Sequence, residues 1–173
     1  MSFLSRIFGE RREREALRPL YGAIVRVARE PAWYREGGVP DTLDGRFDML
    51  SAVTAMALLR LEAEGEAGKT PAVLLTEIFI DDMDGTLRQI GIGDYVVGKH
   101  IGRMMSALGG RLGAFREASD AGALSEAVRR NIFHEAPPDE ASVDFVATRL
   151  ASFASALERV PMAELLEGKV PRP

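Results

Sequence analysis

The chain contains no cysteine. That excludes a disulfide scaffold, thiolate catalysis and any zinc site built on thiolates. Long apolar runs are missing as well, and none approaches the roughly 20 residues that span a bilayer. The stretch from Met1 to Gly9 is too short and too interrupted for a secretory signal. The expectation is a protein that stays where it is made. Basic charge is not in excess: the formal net charge is −4, which argues against non-specific nucleic-acid binding. Period-two alternation is scarce and never sustained, so strands are not expected. There is no GxSxG elbow and no phosphate-binding GxxxxGK loop. Gly91-Ile92-Gly93 lacks both the third glycine of a dinucleotide fingerprint and a preceding strand.

What is present is globular. Hydrophobic residues make up 46% and charged residues 28% of 173 residues, enough for one core. Apolar residues recur at helical spacing in six places, which predicts an all-α single-domain bundle of about six helices. The first spans about 5–30, with Pro19 kinking or restarting it. A loop over 31–42 precedes a second helix, for which Asp41, Thr42 and Asp44 are candidate N-caps. The third opens on Thr70-Pro71 and ends at Gly91. The fourth follows Asp94, taken as its cap, and carries Val97, Ile101, Met104, Leu108, Leu112 and Phe115. A fifth covers about 123–134. The sixth carries Val143, Val146, Leu150, Phe153, Leu157 and Val160, a narrow seam that packs along a neighbouring helix. Residues 1–15 form a basic and apolar segment expected to be mobile, 16–168 the helical domain, and 169–173 a loose tail.

Charge is unevenly placed. Residues 1–30 hold seven Arg against four Glu, a balance of +3, so the remainder carries −7. Phe3, Leu4, Ile7 and Phe8 run directly into Arg11, Arg12 and Arg14. Such a segment suits transient contact with an anionic membrane surface. A frayed helix with a solvated Arg/Glu face accounts for it equally simply.

Three constellations carry chemical interest. Asp44 and Asp48 share a helical face, and Asp81, Asp82 and Asp84 cluster on the next helix. Two helices presenting aspartates can clamp Mg²⁺ for diphosphate chemistry. Capping by Asp44 and an ordinary Asp84–Arg88 pair explain them without metal, and no metal or other cofactor is expected. His100 and His134 have no partner at triad spacing. In the fourth helix, Gly98, Gly102, Ser106, Gly110 and Ala114 recur every four residues, a trough suited to close helix packing. The simplest occupant is a neighbouring helix of the same domain; the other is a partner helix, such as a hydrophobic client segment. Five methionines, Met49, Met56, Met83, Met104 and Met105, fall mostly on apolar stripes as core filling, although such residues also suit adaptable binding surfaces.

The stretch Gly38-Val39-Pro40-Asp41-Thr42-Leu43-Asp44-Gly45-Arg46-Phe47-Asp48-Met49-Leu50 resembles the signature of the ubiquinol–cytochrome c chaperone family. So do Asp82-Met83-Asp84, Leu87-Arg88, Gly91-Ile92-Gly93-Asp94, Val97-Gly98-Lys99, and Met104 through Gly110-Arg111. The likeness covers roughly 75 residues in register. Two places depart from it: Ser51-Ala52 stands where the family often has Leu-His, and Leu108-Gly109 where it usually has Phe-Tyr.

The resemblance implies an assembly chaperone and not an enzyme, whose client is a cytochrome b-type membrane subunit of the ubiquinol–cytochrome c reductase complex. It implies a bacterial, cytoplasmic member, working at the inner face of the membrane. The candidate client- or partner-binding residues are the motif residues Arg46, Asp48, Asp84, Arg88, Lys99, Met104 and Arg111, with Gly98, Gly102 and Gly110 of the trough. Arg46 or Arg88 paired with an aspartate across the second and third helices would instead be a structural clamp. The alternatives are an all-α metal-dependent diphosphate enzyme on the clustered aspartates, and a membrane-surface binding module on the basic N-terminus.

Overall fold

One helix, with its neighbours arranged around it, organises the chain. A computed structural model describes residues 12–173 except Ile90, Ile92 and Glu135. Eight helices occur among the described residues: α1 (Arg18–Ala28), α2 (Pro31–Arg35), α3 (Leu43–Glu62), α4 (Glu66–Gln89), α5 (Asp94–Glu117), α6 (Ala121–Asn131), α7 (Glu140–Glu158) and α8 (Met162–Leu166). Six of them have seven or more residues, and no strand is present among the described residues. The apolar residues Phe3, Leu4, Ile7 and Phe8, together with Arg11, lie outside the described residues, as do Ile90 and Ile92.

The central helix is α3, against which α1, α4, α5 and α7 all pack. Every residue from Ser51 to Leu58 is buried. Small side chains at Ser51, Ala52, Thr54, Ala55 and Ala57 let neighbours approach from several sides. The two buried hydroxyls are satisfied within the helix: Ser51 Oγ donates to the Phe47 carbonyl at 2.8 Å and Thr54 Oγ1 to that of Leu50 at 2.7 Å. Thr42 is the N-cap, its Oγ1 accepting from the Gly45 N–H at 3.2 Å. Gly45 is required by contact, since a Cβ there would lie 2.0 Å from the Pro40 carbonyl oxygen.

Pro19 sits in the first turn of α1, a restart consistent with its fixed φ and missing donor. The segment expected as a loop contains α2, and α2 carries Trp33, fully buried. Trp33 Nε1 donates to the Val27 carbonyl at 2.7 Å and Tyr34 Oη to that of Ala28 at 2.8 Å. Trp33 is thus a second donor to the Val27 carbonyl, which also accepts the Glu30 N–H at 3.1 Å, and Tyr34 supplies a donor for Ala28 at the end of α1.

Helix α4 begins a turn before Thr70-Pro71, with Pro71 inside it. The early turn is docked on the end of α3 at Gly68, where a Cβ would lie 1.8 Å from the Leu61 carbonyl oxygen. Tertiary contact outweighs the helix-start preference of proline there. Asp94 is the first residue of α5, and Gly93 is its N-cap. The seam of α7 is buried from Val143 to Leu157 and packs on α6 and α3. Asp139 caps α7 by accepting from the Ser142 N–H at 2.7 Å. At the other end, Arg60 donates to the carbonyls of Leu157 and Val160, both at 3.1 Å. After α8, Val170 packs against the core and Lys169 pairs with Glu164 and Glu167.

Candidate functional site

Asp48 lies one turn into α3 and Arg111 late in α5, and the packing of these helices brings them together in the interior. The Arg111 Nη2 donates to Asp48 Oδ1, and the two side chains are 3% and 6% exposed. Asp48 Oδ2 faces His134 Nε2 at 2.9 Å. Arg111 also donates to the Asn131 carbonyl from Nε at 3.1 Å and from Nη2 at 2.6 Å, closing the C-terminal end of α6. Phe47 lies under the guanidinium, 5.5 Å from centroid to Cζ, and rests on Phe79 with centroids 6.2 Å apart. The junction therefore ties α3, α5 and α6 at one point.

Burial opposes these charges. It pushes the Asp48 carboxyl up, against the pull of Arg111 and His134 in the other direction. It likewise pulls Arg111 down, against the favourable field of Asp48. Arg111 Nη1 is buried without an acceptor. A pair of this kind contributes through what its loss would leave behind, an uncompensated buried charge, more than through net attraction.

Several sequence expectations change here. Asp48 and Arg111 do not face outward; they are the clamp. The clamp crosses α3 and α5, whereas Arg46 closes on Asp41 at 2.6 Å, close to the start of its own helix. Arg88 pairs with Asp84 at 2.6 Å, the i, i+4 spacing anticipated. His134, with no carboxylate at triad spacing in the sequence, meets Asp48 in space. It follows α6 with φ 50, a left-handed conformation that histidine adopts more readily than most residues. Asn131 was not anticipated either, since its contribution is a backbone carbonyl.

The clustered aspartates do not converge. Asp81 pairs with Arg14, Asp82 accepts from Tyr21 Oη at 2.7 Å, Asp84 holds Arg88 and Asp48 holds Arg111. Burial and the Asp82 carboxylate together push the Tyr21 phenol up, so it stays a donor. Among the described residues no group of three or more His, Asp or Glu side chains is placed to hold a metal ion.

The other half of the expected site is the outer face of α5. Gly98, Gly102, Ser106, Gly109 and Gly110 are exposed, and Gly113 is half-buried. At 100° per residue, Gly98, Gly102, Ser106, Gly109 and Gly113 fall within about 80° of one another. A Cβ added at Gly98, Gly102, Gly109, Gly110 or Gly113 would meet nothing within 4 Å among the described residues. Among the described residues no neighbouring helix fills this trough: α3, α4 and α6 pack on α5, and no described residue covers the glycine strip. Met105 flanks it half-buried, Met104 lies on the opposite, apolar stripe against the core, and Lys99 and Arg103 are exposed. No helix among the described residues is long and apolar enough to cross a membrane.

Comparison with known proteins adds an independent line. The profile of the Ubiquinol-cytochrome C chaperone family matches residues 35–172. No curated protein matches the chain. Among solved structures, the crystal structure of the Cbp3 homolog from Brucella abortus is similar, with 28% identity over 99% of this chain and 97% of that one, at a TM-score of 0.80.

Proposed function

The chain belongs to the ubiquinol-cytochrome C chaperone family, and from that membership we propose that it escorts a cytochrome b-like membrane subunit during assembly of the ubiquinol–cytochrome c reductase complex. The proposed client contact is the open face of α5.

One observation carries the choice of surface, the glycine strip that no described residue fills. An interior glycine lowers helix stability by about 0.8–1 kcal/mol relative to alanine. Several in a row favour an approach of another backbone that alanine or larger residues would hold off. Surfaces of the small-xxx-small kind admit apolar helices closely, and a membrane subunit before assembly exposes such helices. Met105 offers adaptable apolar contact beside the strip, and Met104 supports α5 from its core-facing side. Gly98 and Gly102 are its contact positions, with Gly110 and Lys99 at its edge; Asp84 and Arg88, paired with each other on α4, are further proposed contacts. Asp48 and Arg111 act from beneath by fixing α5 on α3. The proposed working place is the inner face of the membrane, with transient lipid contact through the basic and apolar sequence at 1–15.

Gene deletion tests the function and complementation tests the surface. Loss of assembled complex on deletion, restored by the wild-type chain, is the expected result; unchanged complex levels would sink the chaperone reading. The double variant Gly102→Leu/Gly109→Leu should fold and yet fail to restore assembly. Full restoration by that variant would move the client contact away from α5.

A further inference from the structure

A second feature lies where the end of α1, the start of α2, α7 and the C-terminal segment meet. A cavity of about 540 Å³ there is lined by Arg26, Arg29, Glu30, Arg149 and Arg172, among others. A neighbouring one of about 450 Å³ shares Arg29 and Pro31 and adds Arg35, Arg46 and Asp41. The chain as a whole carries a net charge of −4, so this concentration of arginine is local.

The charges in the larger cavity are poorly compensated. Glu30, which Arg149 already holds, is its one side-chain carboxylate, and Pro173, the last residue of the chain, also lines it, so four arginines face at most two carboxylates. Arg26, Arg29 and Arg172 are exposed, and none has a carboxylate within ion-pair distance among the described residues. Arg149 is built in: its guanidinium lies 5.1 Å from the Trp33 ring centroid and 6.0 Å from that of Phe145. Its Nε is buried with no acceptor. That atom is enclosed, so what Arg149 offers the cavity is the partly exposed end of its guanidinium, beside Glu30. Stacking fixes the plane of its fork, and guanidinium forks match tetrahedral oxyanions through paired hydrogen bonds. The volume falls within the range of small-molecule sites.

We propose that this cavity binds a phosphate-bearing anion, with Arg149 as the fixed donor and Arg26, Arg29 and Arg172 closing around it. The same chemistry serves a free phosphate compound or the headgroup of an anionic lipid. The site is independent of the client surface on α5.

The full-length chain is titrated with inorganic phosphate by calorimetry, and co-sedimented with vesicles of phosphatidylglycerol or of phosphatidylcholine. Arg149 is left intact because its loss would disturb the packing of Trp33. The variant Arg26→Gln/Arg29→Gln/Arg172→Gln is compared with a charge-matched control, Arg103→Gln/Arg130→Gln/Arg159→Gln, whose residues lie outside both the cavity and the segment 1–15. Saturable phosphate binding, weakened about tenfold or more in the cavity variant and retained in the control, supports a free phosphate ligand. Sedimentation with phosphatidylglycerol alone, lost in the cavity variant and retained in the control, supports a lipid headgroup. Binding of neither ligand by the wild type, or equal loss in both variants, overturns the proposal.

Discussion

Helices α3 and α5 are similar in length, 20 and 24 residues, and both are rich in small residues. They use them in opposite ways. In α3, Ala52 and Ala55 are fully buried, and the small side chains are what allow other helices to come close. In α5 the glycines face outward, and a Cβ on them would touch nothing among the described residues. The shared composition shows that small residues permit close approach without specifying whether the approaching element belongs to the same chain. The inner face of α5 is as firmly built as α3, with Val97, Leu108 and Phe115 buried beside the Arg111 clamp. Its outer face carries no described neighbour.

The largest test of that contrast removes the clamp. Asp48→Ala strands Arg111 in the interior and should lower unfolding free energy by about 3–5 kcal/mol. The double variant Asp48→Leu/Arg111→Met should recover much of the loss, since apolar replacement of a buried pair is often close to neutral. Urea denaturation of the three proteins reads this directly, and a single-variant loss below about 1 kcal/mol would mean that the pair does not hold α5 on α3.

Next in size is overpacking of α3. Ala52→Leu should destabilise by about 1–3 kcal/mol, because the surrounding helices leave no room. The matched change in α5 should have the opposite sign: Gly102→Ala and Gly109→Ala should each stabilise by up to about 1 kcal/mol. A rise in thermal midpoint for these variants, together with weaker assembly of the complex, would separate the fold from the contact it offers. A fall in midpoint would show that the strip is occupied within the chain after all.

The smallest effect concerns the cap of α7. Hydrogen bonds from the Ser142 hydroxyl and N–H hold the Asp139 carboxyl below its ordinary value of 3.8. The sign follows from the charged form being favoured in the fold. This contribution is present above 3.8 and is lost as pH falls through the lower native value. Carboxyl titration by NMR should place Asp139 lower in the wild type than in Ser142→Ala, with α5 resonances unchanged.

Local sequence signals were enough for what depends on local physics. The restart at Pro19, the Thr42 cap, the buried α7 seam and the Asp84–Arg88 pair follow from spacing and residue type. Trp33 did not emerge because a five-residue helix shows too little periodicity to separate from a loop. The early start of α4 was hidden because Thr-Pro is a good helix opening when nothing else docks, and Gly68 on Leu61 is a tertiary fact. The clamp joins residues 63 positions apart, and His134 reaches Asp48 from 86 positions away. Periodicity carries no information about such pairs, which is why Asp48 and Arg111 looked like surface contacts. Family likeness drew attention to both residues without distinguishing a buried role from an exposed one.

Trp33 is the only tryptophan in the chain, and its place beneath Arg149 turns the protein into its own optical probe. A buried indole with a cation on its face and its N–H tied to Val27 should emit as a dry, partly quenched fluorophore. Phosphate reaching the cationic cavity alters the field at that ring and should change its intensity. A client helix laid along the glycine strip acts on a face of α5 that contains no tryptophan. One emission signal can thus report occupancy of the cavity while remaining nearly silent to the client, without any label being added.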